Sequence, residues 1–397
     1  MRSTALYLNR GRGKNFLLSF VIFYIAGFAA ISAVDMLIAA LPTHLNAVFG
    51  NAFDVGLIYG IFPVLSVITR LQISKFAFKT SLKKTLFIGL IIMTLSQGAC
   101  VFAGDSRGLW LALRMLFGVG ICGYFIALLE AVNNEIASRH HSLYYGIFST
   151  LFVAPMLFAP ALGERILARL GFNIMIFCTG FFFALAAVAV IFVKDSRSVR
   201  PGFEKKDFYK LMVQKHSHFG LLFMTIFTYA SVVVFLPLLG SAKGFGNFAF
   251  AFTFLGVSTI IVRFCSGKLL SMFSTHKFIL AGTLIISAAI ALFAFSSCPA
   301  VFFAAAALFG VGWAFFESNY MPSLLEGNGK KSELIAVYSL FFDIAWFVGP
   351  LVSGAAADKY GVTRLYQALP LVCLFGMIYF FRFNGEKEAV TDTVCRS

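Results

Sequence analysis

Charged side chains are scarce in this sequence. Asp, Glu, Lys and Arg together make up 12% of the residues, whereas soluble globular domains carry about 25%. Hydrophobic residues supply 60% of the chain, and the mean hydropathy is +0.88. This balance excludes a water-soluble globular domain and indicates helices that lie in a lipid bilayer.

Nucleic-acid motifs are also missing, although the net charge is +15. The basic residues fall mainly between the apolar runs and form no separate basic face, so we interpret them as loop charges that orient a membrane protein. Most of the basic residues fall on one side of the membrane. This side holds the N-terminus, the 74–83 loop, the polar link at 194–217 between the two halves of the chain, and the C-terminus. The bias predicts that both termini are cytoplasmic.

Signatures of enzymes and metal sites are absent from the sequence. The seven Cys residues include no C-x-x-C pair, which gives no indication of a disulfide framework or a metal site. No Ser-His-Asp, H-E-x-x-H or Walker pattern occurs. Residues 118–123 spell G-x-G-x-x-G, but they lie in an apolar run with no preceding strand. Close helix packing therefore explains these glycines better than a dinucleotide-binding loop does. We expect no enzymatic activity, no cofactor and an ion gradient as the energy source.

Twelve apolar runs are long enough to cross a membrane, which takes about 20 residues in a helix. The first run is too long for the core of a signal peptide, so we expect it to remain as a span. The link contains residues 203–212, which predict either an amphipathic helix on the membrane surface or a flexible basic linker. The predicted spans are 16–41, 53–73, 84–103, 108–131, 143–163, 172–193, 218–239, 247–267, 277–296, 300–325, 334–356 and 364–382.

The two halves of the chain repeat each other at an offset of about 190 residues. Residues 116–120 recur letter for letter as residues 308–312, and Arg70 recurs as Arg263. A repeat of this length in a polytopic membrane protein predicts duplicated helical bundles with a transport path between them. We expect a bundle at 1–193, a cytoplasmic linker at 194–217 and a second bundle at 218–397.

Three motifs carry a resemblance to a known family. Residues 114–120 read R-x-x-x-G-x-G, residues 35–42 read D-x-x-x-x-x-x-P, and residues 159–163 read A-P-x-x-G. Over essentially its whole length the chain resembles the major facilitator superfamily, most closely its twelve-span proton-coupled exporters. The resemblance implies an all-α fold of two six-helix bundles related by a pseudo-two-fold axis along the membrane normal. It also implies that Asp35 carries the proton and that Arg114 tunes it.

Asp35 and Arg114 lie at matched depth in the first and fourth spans. Each is about six residues, or roughly 9 Å, from the outer end of its span. An arginine beside a carboxylate favours the charged carboxylate, and withdrawal of the arginine favours protonation. The pair therefore predicts a proton carrier coupled to a conformational change, with a structural ion pair as the alternative.

Glu317 and Asp343 are a second matched pair, about 13 Å from the inner ends of their spans. We expect no basic residue of the second half at that depth, so the two carboxylates predict a cationic substrate site or a second proton site. A shared-proton pair that stabilises the bundle is the alternative. Neighbouring side chains can supply stacking and hydrogen bonds: Trp313, Asn319, Tyr320 and Trp346.

Further residues are predicted to shape the gates and the helix packing. Arg70 and Arg263 occupy equivalent inner ends of spans two and eight, which suggests a cytoplasmic gate. Small residues allow close helix approach and prolines bend spans beside a cavity. The residues of this kind are Gly118, Gly120, Pro160, Gly163, Gly310, Gly312, Gly349 and Pro350.

We conclude from the sequence that the chain is a secondary transporter moving a small organic molecule by alternating access. Proton-coupled efflux of a drug, a metabolite or a siderophore-like compound is the first hypothesis. A proton-coupled uptake symporter for a sugar, an organic acid or an amino acid is the alternative, and a non-transporting membrane receptor is the second alternative. The partners we expect are the substrate, protons and the lipid bilayer, with no nucleic acid. We expect a monomer in a bacterial inner membrane. A eukaryotic organelle is the alternative location.

Overall fold

The computed structural model of the chain describes residues 2–76, 81–135, 141–193, 195, 205–269, 275–326 and 331–394. Within these residues every long regular element is an α-helix, and no β-strand occurs among them. The predicted all-α class is therefore confirmed.

Eight α-helices precede the link between the halves. The fifth span is divided near Pro155, where a 3-10 turn over residues 154–157 separates two helices, because a proline cannot donate the backbone hydrogen bond that a helix needs. The eight helices are α1 (Arg2–Phe49), α2 (Ala52–Gly60), α3 (Phe62–Phe76), α4 (Leu82–Ala99), α5 (Arg107–Glu135), α6 (His141–Thr150), α7 (Ala159–Leu170) and α8 (Phe172–Ile191).

Seven α-helices make up the rest of the described chain. The first of them lies in the link, so the helical interpretation of that segment is confirmed; its position on a membrane surface stays a prediction. The seven helices are α9 (Lys205–Gln214), α10 (His216–Ala242), α11 (Phe250–Leu269), α12 (Thr275–Phe295), α13 (Pro299–Leu325), α14 (Lys331–Tyr360) and α15 (Val362–Val394).

Eleven stretches of the described residues are long and apolar enough to cross a membrane, and a twelfth apolar helix, Phe250–Cys265, is shorter. Each of the twelve predicted spans coincides with one of these helices. The first helix continues beyond its predicted end at 41 and runs through Pro42 to Phe49. A proline inside a membrane helix is tolerated where neighbouring helices surround it, so α1 continues past Pro42.

The chain divides into two compact units. The N-terminal unit contains Met1–Leu37 and Val64–Gly202, and the C-terminal unit contains Ile38–Pro63 and Phe203–Ser397. Residues 38–63 are thus grouped with the second unit, in which α2 packs along α14. The predicted bundle boundaries at 193 and 218 stay a prediction.

Glycine-mediated helix crossings recur in both units. In the N-terminal unit, a Cβ on Gly89 would lie 2.9 Å from the carbonyl oxygen of Gly120. In the C-terminal unit, a Cβ on Gly282 would lie 2.8 Å from the carbonyl oxygen of Gly312. Only glycine permits backbones to approach so closely, so the repeated glycines set the contacts of α4 with α5 and of α12 with α13.

Hydroxyl groups support the glycine motifs in the same repeated way. Ser66 Oγ donates to the carbonyl of Gly118 at 2.8 Å in the N-terminal unit. Thr259 Oγ1 donates to the carbonyl of Gly310 at 3.1 Å in the C-terminal unit. The sequence repeat therefore corresponds to a repeated hydrogen bond between neighbouring helices.

Candidate functional site

Aromatic side chains from three helices gather in the C-terminal unit. Tyr229 of α10 stacks on Trp313 of α13, with ring centroids 3.9 Å apart and an interplanar angle of 26°. Tyr229 also makes an edge-on contact with Trp346 of α14, with ring centroids 6.0 Å apart and an interplanar angle of 70°. Edge-on contacts are among the arrangements that aromatic pairs prefer.

The contacts continue from ring to ring until they return to Tyr229. Successive centroids are 6.1 Å (Trp313–Phe316), 5.2 Å (Phe316–Tyr320), 5.9 Å (Tyr320–Tyr338), 6.0 Å (Tyr338–Phe342) and 6.3 Å (Phe342–Trp346) apart. We call this closed circuit the aromatic cluster; its members are Tyr229, Trp313, Phe316, Tyr320, Tyr338, Phe342 and Trp346.

An ion pair lies beside the aromatic cluster. Arg263 of α11 donates to Glu317 of α13. The expectation that Glu317 has no basic partner is therefore wrong. The depth estimate considered backbone positions only, and the long arginine side chain extends from its own level to reach the carboxylate.

Glu317 and Asp343 both lie close enough to Tyr338 for their charges to act on its hydroxyl. The structure thus brings the two predicted carboxylates to one side chain. Two acidic side chains therefore act on one hydroxyl, and the Arg263 guanidinium pairs with one of them. This arrangement suits a cation or a proton.

The side chains of Asn319 and Tyr320 donate hydrogen bonds to backbone carbonyls. Asn319 Nδ2 donates to the carbonyl of Phe315 at 2.7 Å, and the Tyr320 hydroxyl donates to the carbonyl of His218 at 2.8 Å. Two buried polar atoms nearby have no hydrogen-bond partner within the described part of the chain, namely Asn319 Oδ1 and Trp346 Nε1. Asn319 Oδ1 on α13 can therefore accept a hydrogen bond from a ligand, and Trp346 Nε1 on α14 can donate one.

Asp35 lies on α1 in the N-terminal unit and is 6% exposed. Its Oδ2 accepts no hydrogen bond from any described residue. Arg114 is 3% exposed, and its guanidinium carbon lies 4.9 Å from the centroid of the Phe117 ring. A functional pairing of Asp35 with Arg114 stays a prediction.

Gly163 places α7 against α1 beside Asp35. A Cβ at Gly163 would lie 3.0 Å from the Cα of Met36, so a larger residue would push the two helices apart. Pro160 is the second residue of α7, a position where the missing proline N–H costs nothing. The Ala-Pro-x-x-Gly motif therefore begins a helix and fits it closely to the proton-carrier candidate.

Gly349 and Pro350 have a corresponding packing role in α14. A Cβ at Gly349 would lie 2.6 Å from the carbonyl oxygen of Phe227 on α10. On its other side, the Pro350 carbonyl lies against Gly56 of α2, where a Cβ would come within 2.9 Å of the carbonyl carbon. The α14 helix continues through Pro350, so this proline does not end the span.

The side chain of Arg70 lies outside the described residues, and its predicted gate role stays a prediction. Sequence reasoning did not single out Tyr229 and Tyr338, which join the two tryptophans and the two carboxylates. Tyr338 lies five residues before Asp343 on α14, more than one helical turn away, and no pattern in the sequence indicated that the two would meet. Tyr229 is embedded in an apolar span, where nothing distinguishes it from a packing residue.

A bundle of apolar helices that gathers charged and aromatic side chains away from water has the features of a membrane transporter. The model of the family described as Major Facilitator Superfamily matches residues 23–350. The chain belongs to this superfamily and is a multi-pass membrane protein that performs secondary transport of a small molecule.

Solved transporter structures resemble the chain over nearly all of its length. The crystal structure of a single-residue mutant of the nucleoside transporter NupG has a TM-score of 0.77 at 11% identity, covering 92% of this chain and 99% of that one. The human organic anion transporter MFSD10 (TETRAN) has a TM-score of 0.69 at 13% identity, with the same coverage. At these identities the likeness shows the fold alone. No curated protein matches the chain in sequence.

Proposed function

We propose that this chain exports a small organic molecule in exchange for protons, and that Asp35 is the proton carrier. The observation that carries the proposal is the burial of Asp35 together with the unpartnered Oδ2. A charged carboxylate oxygen without a donor is costly in a buried place. A carboxyl in this position can therefore take up a proton in one state of the transporter and release it in another.

The substrate class we propose is a flat organic molecule with a positive charge. The aromatic cluster offers ring faces for stacking and for cation–π contact. The acidic side chains of Glu317 and Asp343, which both act on Tyr338 of the cluster, favour a cation over an anion. The drug, metabolite and siderophore-like classes predicted from the sequence all include molecules of this kind.

Proton-coupled uptake is the second candidate. Its support is the likeness to the nucleoside transporter NupG, because an aromatic cluster also fits a neutral nucleobase. Under both candidates we propose a monomer with both termini in the cytoplasm, in a bacterial inner membrane, with the division at 1–193, 194–217 and 218–397.

Proton movement in energised inverted membrane vesicles tests the proposal. The vesicles are challenged with flat cations, neutral nucleosides and organic anions, for the native chain, Asp35→Asn and Asp54→Asn. Asp54 is a matched control because it is also buried, 1% exposed, but accepts a hydrogen bond from Asn51 Nδ2 at 2.7 Å.

A cation should release protons with the native chain and Asp54→Asn but not with Asp35→Asn. Proton release that persists in Asp35→Asn would remove Asp35 from the role of carrier. Absence of release with any compound, together with nucleoside uptake by intact cells, would favour import.

A further inference from the structure

A cavity of about 590 Å³ lies between α4 and α8 of the N-terminal unit. Its walls are mainly apolar, and the rings of Phe177 and Phe181 beside it are 79% and 63% exposed. Large exposed apolar rings on membrane-spanning helices face the lipid tails. The cavity is therefore a recess in the lipid-facing surface, and its lining includes neither Asp35 nor any member of the aromatic cluster.

Two glycines leave the recess open. Gly98 of α4 and Gly180 of α8 both line the cavity, and a Cβ at either position would meet no atom within 4 Å. No close helix contact requires these glycines, in contrast to Gly89 and Gly120. Their effect is to leave space between the helices.

The wall of the recess contains one buried side chain whose hydrogen-bonding groups are unsatisfied. Gln97 is 1% exposed, and neither its Nε2 nor its Oε1 has a hydrogen-bond partner among the described residues. The neighbouring hydroxyls are satisfied, since Thr94 donates to the carbonyl of Leu90 at 2.8 Å and Thr179 to that of Ile176 at 2.7 Å. A buried amide without partners is rare in native proteins and calls for a ligand or another cause.

The recess is as long as one leaflet of the membrane. Along α8 its lining runs from Asn173 to Ala184, a rise of about 16 Å at 1.5 Å per residue. Half of a hydrocarbon core of about 30 Å is roughly 15 Å. Asn173 lies at the end of the span, and Gln97 lies five residues before the end of its own span at Phe102, about 7 Å deep. Both polar side chains therefore lie in the half of the recess that is closer to the span ends, and the deeper wall suits an acyl chain.

We propose that this recess binds the acyl chain of a membrane lipid that carries a free hydroxyl beside its acyl ester, and that the hydroxyl bonds to the Gln97 amide. A hydroxyl can both donate and accept, so it can satisfy Oε1 and Nε2 together after a change of the Gln97 rotamer. A fully esterified phospholipid offers only acceptors at this level and leaves Oε1 unsatisfied. A lysophospholipid has the required chemistry.

Native mass spectrometry of the purified full chain tests the proposal with lysophosphatidylcholine and phosphatidylcholine of the same chain length. The two probes share their headgroup and differ in one acyl ester that a hydroxyl replaces, so a preference that depends on Gln97 reports the hydroxyl. Gln97→Leu removes both hydrogen-bonding atoms of the amide, Oε1 and Nε2, and keeps a side chain of similar size. Gly180→Leu fills the recess. Gly146→Leu is the matched control, since a Cβ at this exposed glycine of α6 also meets no atom within 4 Å.

The native chain and Gly146→Leu should bind the lysolipid at least tenfold more tightly than the diester lipid. Gln97→Leu should abolish this preference, and Gly180→Leu should lose lysolipid binding. Equal affinity of the native chain for both lipids would overturn the proposal, as would an undiminished preference in Gln97→Leu. Unchanged lysolipid binding by Gly180→Leu would place the lipid elsewhere and would equally reject the site.

Discussion

Arg263 on α11 and Glu317 on α13 form an ion pair in which the two partners differ in exposure. The Arg263 side chain is 14% exposed and the Glu317 side chain 36%. The carboxylate is therefore the more accessible partner, beside the Tyr338 ring of the aromatic cluster. Because the carboxylate is the more exposed partner, a cationic substrate of the class we propose can compete with Arg263 for it.

Arg263→Ala should abolish transport and lower stability. Glu317 would lose a charged hydrogen-bond partner in a half-buried place, which costs about 1–3 kcal/mol. Adding Glu317→Gln to this variant should recover most of the stability without recovering transport, because the uncompensated charge is gone. Unfolding of both single variants and the double variant measures the coupling. Additive losses would show that the ion pair contributes nothing to stability.

Trp346→Phe should weaken substrate binding and should cost less stability than replacement of a tryptophan whose indole N–H is hydrogen-bonded. The indole Nε1 has no hydrogen-bond partner among the described residues, so its removal breaks no hydrogen bond within them, and the phenyl ring keeps most of the contacts. Thermal unfolding and the substrate KM are the two measurements.

Trp110→Phe is the matched control for that substitution. Trp110 Nε1 donates to the carbonyl of Gly104 at 3.0 Å, and the loss of such a bond costs about 0.5–1.5 kcal/mol. The control should therefore lose stability and keep its KM. A Trp346→Phe variant with a native KM would show that the indole N–H does not contact the substrate.

The sequence predicted the class of fold and the number of spans because both depend on local hydrophobicity, which a chain displays directly. It also indicated that Glu317 and Asp343 belong together, since their depths follow from a fixed rise per residue. It did not predict the Arg263 partner or the role of Tyr338. Those contacts depend on helix rotation and on the reach of long side chains, which positions along a helix do not determine. The first helix also continues past its predicted end at 41 and through Pro42, because neighbouring helices allow a membrane helix to continue through a proline.

Gly89→Ala and Gly282→Ala should each destabilise the chain by about 1–3 kcal/mol, the usual cost of overpacking. The added Cβ atoms would lie 2.9 Å and 2.7 Å from backbone atoms, namely the Gly120 oxygen and the Phe316 nitrogen. Gly98→Ala, on the same helix as Gly89, should be neutral or stabilising by up to about 1 kcal/mol, because its Cβ meets nothing within 4 Å. Equal effects of Gly89→Ala and Gly98→Ala on the melting temperature would contradict the close crossing.

Asp358→Ala should loosen the start of α2. The Asp358 carboxylate at the end of α14 accepts the backbone N–H groups of Ala52 and Phe53 at 2.5 and 2.9 Å. Asn51 accepts the next N–H, that of Asp54, at 2.8 Å. These first amides have no partner inside the helix, and a negative charge at a helix N-terminus is favourable. Loss of such a cap costs about 0.5–2 kcal/mol.

Hydrogen exchange of the Ala52 and Phe53 amides measures this cap, and both should exchange faster in Asp358→Ala. Asp358→Asn keeps one acceptor oxygen without the charge, so its exchange should be intermediate. Lys359→Ala is the neighbouring control; its ammonium lies 5.2 Å from the centroid of the Tyr360 ring. Unchanged protection of Ala52 and Phe53 in Asp358→Ala would show that the packing of α2 on α14 holds the helix start without the carboxylate.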